Sequence, residues 1–215
     1  MVPAAASPVA ERPLRRDAEL NLERILTAAQ DVFARLGYEA SMEQIASAAG
    51  VGVGTLYRRF PNKESLVVAV VEMAGQRSRL QAQAVLAECS EADGIFEFMR
   101  RCLQTPSNLR ALVSRSPKLE ETHRTMIATV APAIERLIAN AKAAGSLRHD
   151  VTFSDIAVVL MSVRSVGDRC GDIGAQQAER HLQLLMDGLR VTDGTAVLPH
   201  RPLTRAQLDV LLVRE

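Results

Sequence analysis

Between Leu22 and Leu36 the apolar residues Leu22, Ile25, Leu26, Ala29, Val32, Phe33 and Leu36 return every three or four positions. Only an α-helix gathers that spacing onto one face. The same period recurs along most of the chain. Alternating apolar runs closed by two-residue turns, the mark of hairpins, are nearly absent. Asp93-Gly94 and Asp187-Gly188 lie within helical patterns and Asp193-Gly194 follows one, so none of them reads as a hairpin turn. The chain is expected to be all-α.

Local signals set the boundaries. Gly37 stops the first helix. Ser41-Met42-Glu43-Gln44 is a capping box that opens a short second helix, and Asn62 caps a long fourth one. Thr204-x-x-Gln207 is a second capping box near the end of the chain. These signals predict helices at 18–36, 42–49, 53–60, 63–88, 92–104, 107–114, 117–144, 153–170, 175–190 and 205–213. Pro132 predicts a kink in the stretch 117–144. Gly75 is the one weak point of the 63–88 helix, and Gly75→Ala is expected to stiffen it provided the added methyl does not clash. Residues 1–17, with Arg12, Pro13, Arg15 and Arg16, read as a disordered arm. Its arginines either reach a minor groove or lie in solvent.

Composition excludes several classes. The chain has 215 residues, 47% of them hydrophobic, which suffices for a folded core. Its longest apolar run, Leu66–Val71, is far short of the ~20 residues that cross a bilayer, and Met1–Ala10 lacks the basic start of a signal peptide. Cys89, Cys102 and Cys170 are odd in number and widely spaced, which points to a reducing, cytoplasmic setting. His123, His149, His181 and His200 are dispersed, so no metal site is expected. Gly50-x-Gly52-x-Gly54 has no preceding strand and the wrong third offset for a nucleotide loop. No nucleophile can be tied to a base by spacing. Neither an enzyme nor a cofactor is expected. Since the net charge is +1, any nucleic-acid surface must be local.

Residues 42–60 supply such a surface. Two short helices joined by Gly50-Val51-Gly52 meet at a steep angle, as in a helix-turn-helix. Ile45, Ala46, Ala49, Val51, Leu56 and Phe60 give them a small shared core. Val53, Gly54, Thr55, Tyr57 and Arg58 are left facing outward, a set that suits a major groove. Tyr57 has a second reading as an aromatic packed between helices, and Thr55 as a plain first-turn residue. Arg59 either pairs with Glu64 or lies in solvent.

Glu43-Gln44-Ile45-Ala46-Ser47-Ala48-Ala49-Gly50-Val51, Gly54-Thr55-Leu56-Tyr57-Arg58-Arg59-Phe60 and Asn62-Lys63-Glu64-x-Leu66 follow one another here. Arg24-Ile25-Leu26-x-Ala28-Ala29 and Phe33-Ala34-x-x-Gly37-Tyr38 precede them. Over residues 18–68 this resembles the DNA-binding domain of tetracycline-repressor-type (TetR) transcriptional regulators. One departure is Gly52, where the family often has a serine cap. The resemblance implies that Thr55, Tyr57 and Lys63 meet phosphates and that Val53, Gly54 and Arg58 lie nearest the bases.

It also implies a three-helix DNA-binding domain at 18–64, a helical effector-binding and dimerisation domain at 65–198 and a tail with a short helix at 199–215. The family's last two long core helices form a four-helix bundle across a two-fold axis. The corresponding stripes here are Ile156, Val159, Leu160 and Val163 with Leu182, Leu185, Met186 and Leu189. An effector pocket among the middle helices would draw on Phe96, Met99, Cys102, Leu103, Met126, Val130, Phe153 and Arg164. The expected protein is a homodimeric repressor, released from a palindromic double-stranded DNA operator by a small apolar or amphipathic effector, with no membrane partner. The alternative is a helical dimeric interaction module without DNA binding.

Overall fold

The computed structural model describes residues 11–104, 112, 115–194 and 196–213. Among the described residues there are nine α-helices and no strand. In chain order they are α1 (Glu11–Leu36), α2 (Met42–Ala49), α3 (Val53–Arg59), α4 (Lys63–Glu88), α5 (Gly94–Gln104), α6 (Pro117–Ala143), α7 (Phe153–Arg169), α8 (Gly174–Leu189) and α9 (Arg205–Val213). The helix expected at 107–114 lies largely outside the described residues; of it, Leu112 is helical and buried.

The chain divides into two compact units between Val70 and Val71, inside α4. The expected boundary was residue 64. The first two turns of α4 belong to the first unit because they bury Leu66, Val67 and Val70. The rest of the first unit's core comes from Ile25, Ala29, Val32 and Phe33 of α1, Ile45 and Ala46 of α2, and Leu56 of α3.

The disordered arm expected at 1–17 is corrected in part. Residues 11–17 are helical and continuous with α1, while residues 1–10 lie outside the described ones. Pro13 is tolerated there because it falls in the first turn, where no intrahelical N–H bond is lost. A helix ~10–12 Å across does not enter a minor groove ~6 Å wide, so the groove-reading arm loses its basis over these residues.

The second unit is built on one apolar cluster that α4, α5, α6, α7, α8 and α9 share through Val85, Phe96, Leu137, Val163, Leu182 and Leu208. Small residues let α7 and α8 approach. A methyl on Gly174 would lie 2.2 Å from the Gly167 carbonyl oxygen, and one on Gly167 would lie 3.2 Å from Ala178 Cβ. α6 starts on a Ser116 cap, whose hydroxyl accepts from the Leu119 amide at 3.3 Å, and it runs on through Pro132.

The C-terminal segment is tied down at several points. Arg148 grips Asp150 with two hydrogen bonds, at 3.0 and 2.8 Å, and donates to the Ala196 carbonyl at 2.6 Å. The Leu198 amide donates to the same carboxylate at 2.8 Å. The Arg148 guanidinium, with that amide, holds the Asp150 carboxyl well below the usual carboxylate range. Leu208 of α9 is fully buried.

Candidate nucleic-acid interface

The helix-turn-helix is assembled by short-range bonds that the sequence dictates. The Ser41 hydroxyl accepts from the Gln44 amide at 3.2 Å, and the Gln44 side chain accepts from the Ser41 amide at 2.8 Å. Both bonds satisfy N–H groups that α2 leaves unpaired. At the other end Gly50 takes φ 64°, a left-handed value that costs a side-chain-bearing residue ~1–2 kcal/mol. That turn lets the Val51 amide donate back to the Ala46 carbonyl at 3.0 Å. From α1, Arg24 donates to the Ala49 carbonyl at 3.0 Å, which anchors the turn to the rest of the unit.

Gly52 begins α3 without a side-chain cap, and its carbonyl accepts from the Thr55 and Leu56 amides at 2.9 and 3.1 Å. One side of α3 then faces inward, with Leu56 fully buried and Phe60 just beyond it at 6% exposure. Gly54, Arg58 and Arg59 face solvent, Val53 is 37% exposed and Tyr57 42%, while Thr55 is half-buried. The reading of Tyr57 as an aromatic packed between helices is not met. Thr55, Arg58 and Arg59 border a groove of about 340 Å³ against Glu19, Asn21, Leu22 and Ile25 of α1.

The start of α4 completes the surface. Asn62 caps it, its side chain accepting from the Ser65 amide at 2.8 Å. Lys63 is half-buried; its ammonium donates to the Tyr38 carbonyl at 2.8 Å and sits 4.8 Å from the centroid of the Tyr38 ring. The supporting roles of Tyr38 and Arg24 were missed in the sequence. Each lies 25 residues from its partner, beyond the reach of any local spacing rule.

The other two residue sets lie in the second unit. Ile156, Val163, Leu182 and Met186 are buried within their own chain, at 2%, 0%, 1% and 1% exposure, so they have nothing left to bury against a second copy. Val159, Leu160, Leu185 and Leu189 pack half-buried against the same cluster. Large apolar residues exposed around α8 include Leu184, Ile173 just before the helix and Val191 just after it.

Of the expected pocket set, Phe96, Met99, Cys102, Val130 and Phe153 belong to the core cluster, and Leu103 packs against it. Burial pushes the Cys102 thiol up to about 12, which leaves it unreactive, with the Arg164 charge opposing. Arg164 donates to the Cys102 carbonyl at 2.5 Å, capping the last turn of α5. Met126 lies against Gly75 of α4 instead. Phe153 departs from the set: the Arg205 guanidinium covers its ring at 4.0 Å beside a cleft of about 350 Å³ that also includes Glu135, Lys142 and Ser154. A second cleft of about 350 Å³, with Gln83, Cys89, Arg136 and Asn140, holds none of the expected residues.

Comparison with known proteins decides the family. Residues 25–70 match the profile of bacterial regulatory proteins of the tetR family, and residues 91–191 match the C-terminal domain of SbtR-like transcriptional regulators. The crystal structure of a TetR transcription regulatory protein from Mycobacterium vanbaalenii is 35% identical. The likeness covers 83% of this chain and 100% of that one, with a TM-score of 0.63. The chain belongs to the TetR family.

A TetR transcriptional regulator from Streptomyces coelicolor is 31% identical, with 80% and 99% of the two chains covered and a TM-score of 0.59. An HTH-type transcriptional regulator of Staphylococcus aureus is 38% identical over 81 residues, which span 36% of this chain and 42% of that one. The TetR-family protein described here is thus a DNA-binding transcriptional regulator and not an enzyme. The family binds DNA operators and forms dimers. The reading as an interaction module without DNA binding is not favoured. The DNA-binding profile ends at residue 70, where the first compact unit also ends. Among the described residues no helix is long and apolar enough to cross a membrane.

Proposed function

We propose that the chain is a cytoplasmic repressor that holds a palindromic operator as a homodimer and releases it when a small apolar or amphipathic effector occupies the second unit. The observation that carries this reading is the division of α3. Leu56 is sunk in the core while Val53, Gly54, Tyr57 and Arg58 point outward together. Gly54 lets the helix approach the base edges closely, and the forked Arg58 suits the O6 and N7 acceptors of guanine. Val53 lies beside them at the base edges. Thr55, Tyr57 and Lys63 donate to phosphates on either side and fix the register.

A palindrome calls for two recognition helices about 34 Å apart. The second copy docks on the outward side of α7 and α8. Leu184 at 60% exposure and Ile173 at 53% support this surface, because both are large apolar groups left in water by a single chain. Effector release follows if the ligand binds the arrangement that does not fit DNA better than the one that does.

Sedimentation of the chain with an operator-length duplex tests the reading. A dimer near twice the 23.4 kDa chain mass on each duplex is expected, with Leu184→Asp giving monomers that bind weakly. A monomer that holds the operator with undiminished affinity contradicts it.

A further inference from the structure

Leu203 and Arg205 lie beyond residue 191, where the match to the SbtR-like C-terminal domain ends. They close one side of the cleft of about 350 Å³ beside Phe153. Its other walls are Glu135, Ile138 and Lys142 of α6 and the start of α7. A space of that size takes a small molecule. Arg205 is already engaged: it pairs with Glu135 at 2.7 Å and covers the Phe153 ring at 4.0 Å. That pair cancels one charge of each sign. Lys142 is the remaining cation of the cleft, and among the described residues its ammonium has no ion pair and no hydrogen bond. It lies in the last turn of α6, roughly 37 Å along the axis from Pro117, where the chain enters that helix.

The start of α7 brings donors to the same cleft. The Asp155 carboxylate caps that helix, accepting from the Thr152 amide and hydroxyl, both at 2.7 Å. The Phe153 and Ser154 amides occupy the first two helical positions, where no carbonyl of the helix can accept from them. Ser154 lines the cleft although it is only 6% exposed. Among the described residues its hydroxyl has no hydrogen-bond partner. A buried polar group without a partner is uncommon and calls for an explanation. The N-terminus of a helix of 17 residues also favours negative charge.

An ammonium, a buried hydroxyl and a helix start thus border one ligand-sized space, together with the apolar side chains of Ile138, Phe153 and Leu203. We propose that this cleft binds the carboxylate of a small amphipathic acid, which accepts from the Lys142 ammonium and the Ser154 hydroxyl while its hydrocarbon part lies along those three apolar side chains. An amine would meet the like charge of Lys142, and an alcohol would leave that charge uncompensated. A phosphate would bring a second negative charge beside Glu135 and leave the apolar wall uncovered. The site goes beyond the effector reading, because it stands whether or not its occupancy releases the operator.

Hexanoate, hexylamine, hexan-1-ol and inorganic phosphate are the probes, each titrated into the full chain with calorimetry and the methyl resonances of Ile138 and Leu203 as readouts. Hexanoate is expected to bind and to shift both sets of resonances, and the other three to do neither. Lys142→Met, which keeps an apolar stem, should weaken hexanoate binding about tenfold or more, the loss of one charge-assisted bond. Lys142→Arg, which keeps the charge, should retain more of the affinity. Ser154→Ala should weaken binding about threefold or more. Because that hydroxyl has no partner in the free protein, the same variant should not lower the unfolding midpoint. No response to hexanoate, equal responses to hexanoate and hexan-1-ol, or phosphate binding as tight as hexanoate would each overturn the assignment. So would unmoved Ile138 and Leu203 resonances, or undiminished hexanoate binding by Lys142→Met.

Discussion

The Lys63 ammonium donates to the Tyr38 carbonyl at 2.8 Å and lies 4.8 Å from the centroid of the same residue's ring. One of its three N–H donors is spent inside the protein, which holds a long and otherwise mobile side chain in place. Two donors remain at the start of α4, where helix N–H groups also favour an anion. Lys63→Ala is expected to weaken DNA binding for all sequences alike and to lower the salt slope of the binding constant by about one. Titration of one duplex at several salt concentrations measures this. An unchanged slope places Lys63 away from phosphate and leaves it as a brace for Tyr38.

Gly50 at φ 64° fixes the turn between α2 and α3. A methyl there meets only Arg24 Nη2, at 3.4 Å, so Gly50→Ala tests the backbone and not the packing. It should cost ~1–2 kcal/mol in urea unfolding. A midpoint equal to that of the parent protein would show that the turn is not left-handed.

At Gly75 the condition on the expected stiffening, room for a methyl, fails. Replacing it was expected to stiffen α4, with a gain of ~1 kcal/mol in helix propensity. A methyl at this position lies 2.3 Å from Met126 Cγ, and Met126 Cβ at 3.4 Å leaves that side chain little room to retreat. Overpacking costs ~1–3 kcal/mol, so it outweighs the propensity gain. Gly75→Ala should lower the unfolding midpoint, and Met126→Ala added to it should recover part of the loss. A stabilised single variant contradicts the close approach of α4 and α6.

His123 gives the stability a pH dependence. Burial lowers its folded pKa below the ordinary value of 6.5 while Asp209 partly offsets the shift. The unfolded chain therefore binds the proton more readily. The stabilisation from a neutral His123 is complete above pH ~6.5 and is lost as pH falls below it, by at most ~1.4 kcal/mol per unit. Urea midpoints at pH 7.5 and 5.5 should differ more for the parent than for His123→Gln. Equal differences in the two proteins would show that His123 is not buried in its neutral form.

Much of the fold was legible because its signals are local. The pairs Ser41 with Gln44 and Thr204 with Gln207 span three residues each, and both caps form where the sequence put them. α2, α4 and α9 begin and end as expected, at Met42–Ala49, Lys63–Glu88 and Arg205–Val213. The outward face of α3 was legible too, since Leu56 and Phe60 settle which side is buried.

The faces of α7 were not. Val158, Val159, Leu160, Met161 and Ser162 are consecutive and all half-buried, so the pattern names no single inner stripe. The division into core and interface depends on which neighbours cover Ile156 and Val163, which periodicity does not encode. The same limit hid Arg164, which reads as a pocket residue but caps α5 from 62 residues away. It hid the burial of His123, which the acidic Asp209 on the last helix partly offsets.

Selection of binding sites from random duplex DNA, run with the full chain and with Arg58→Ala, tests the central claim most directly. The account predicts an inverted repeat for the parent protein. It predicts loss of preference at one position in each half-site for Arg58→Ala, with a cost of ~1–3 kcal/mol at that position. Enrichment of no repeat, or of the same repeat with the same preferences by both proteins, would contradict the assignment of α3 and Arg58 to base recognition.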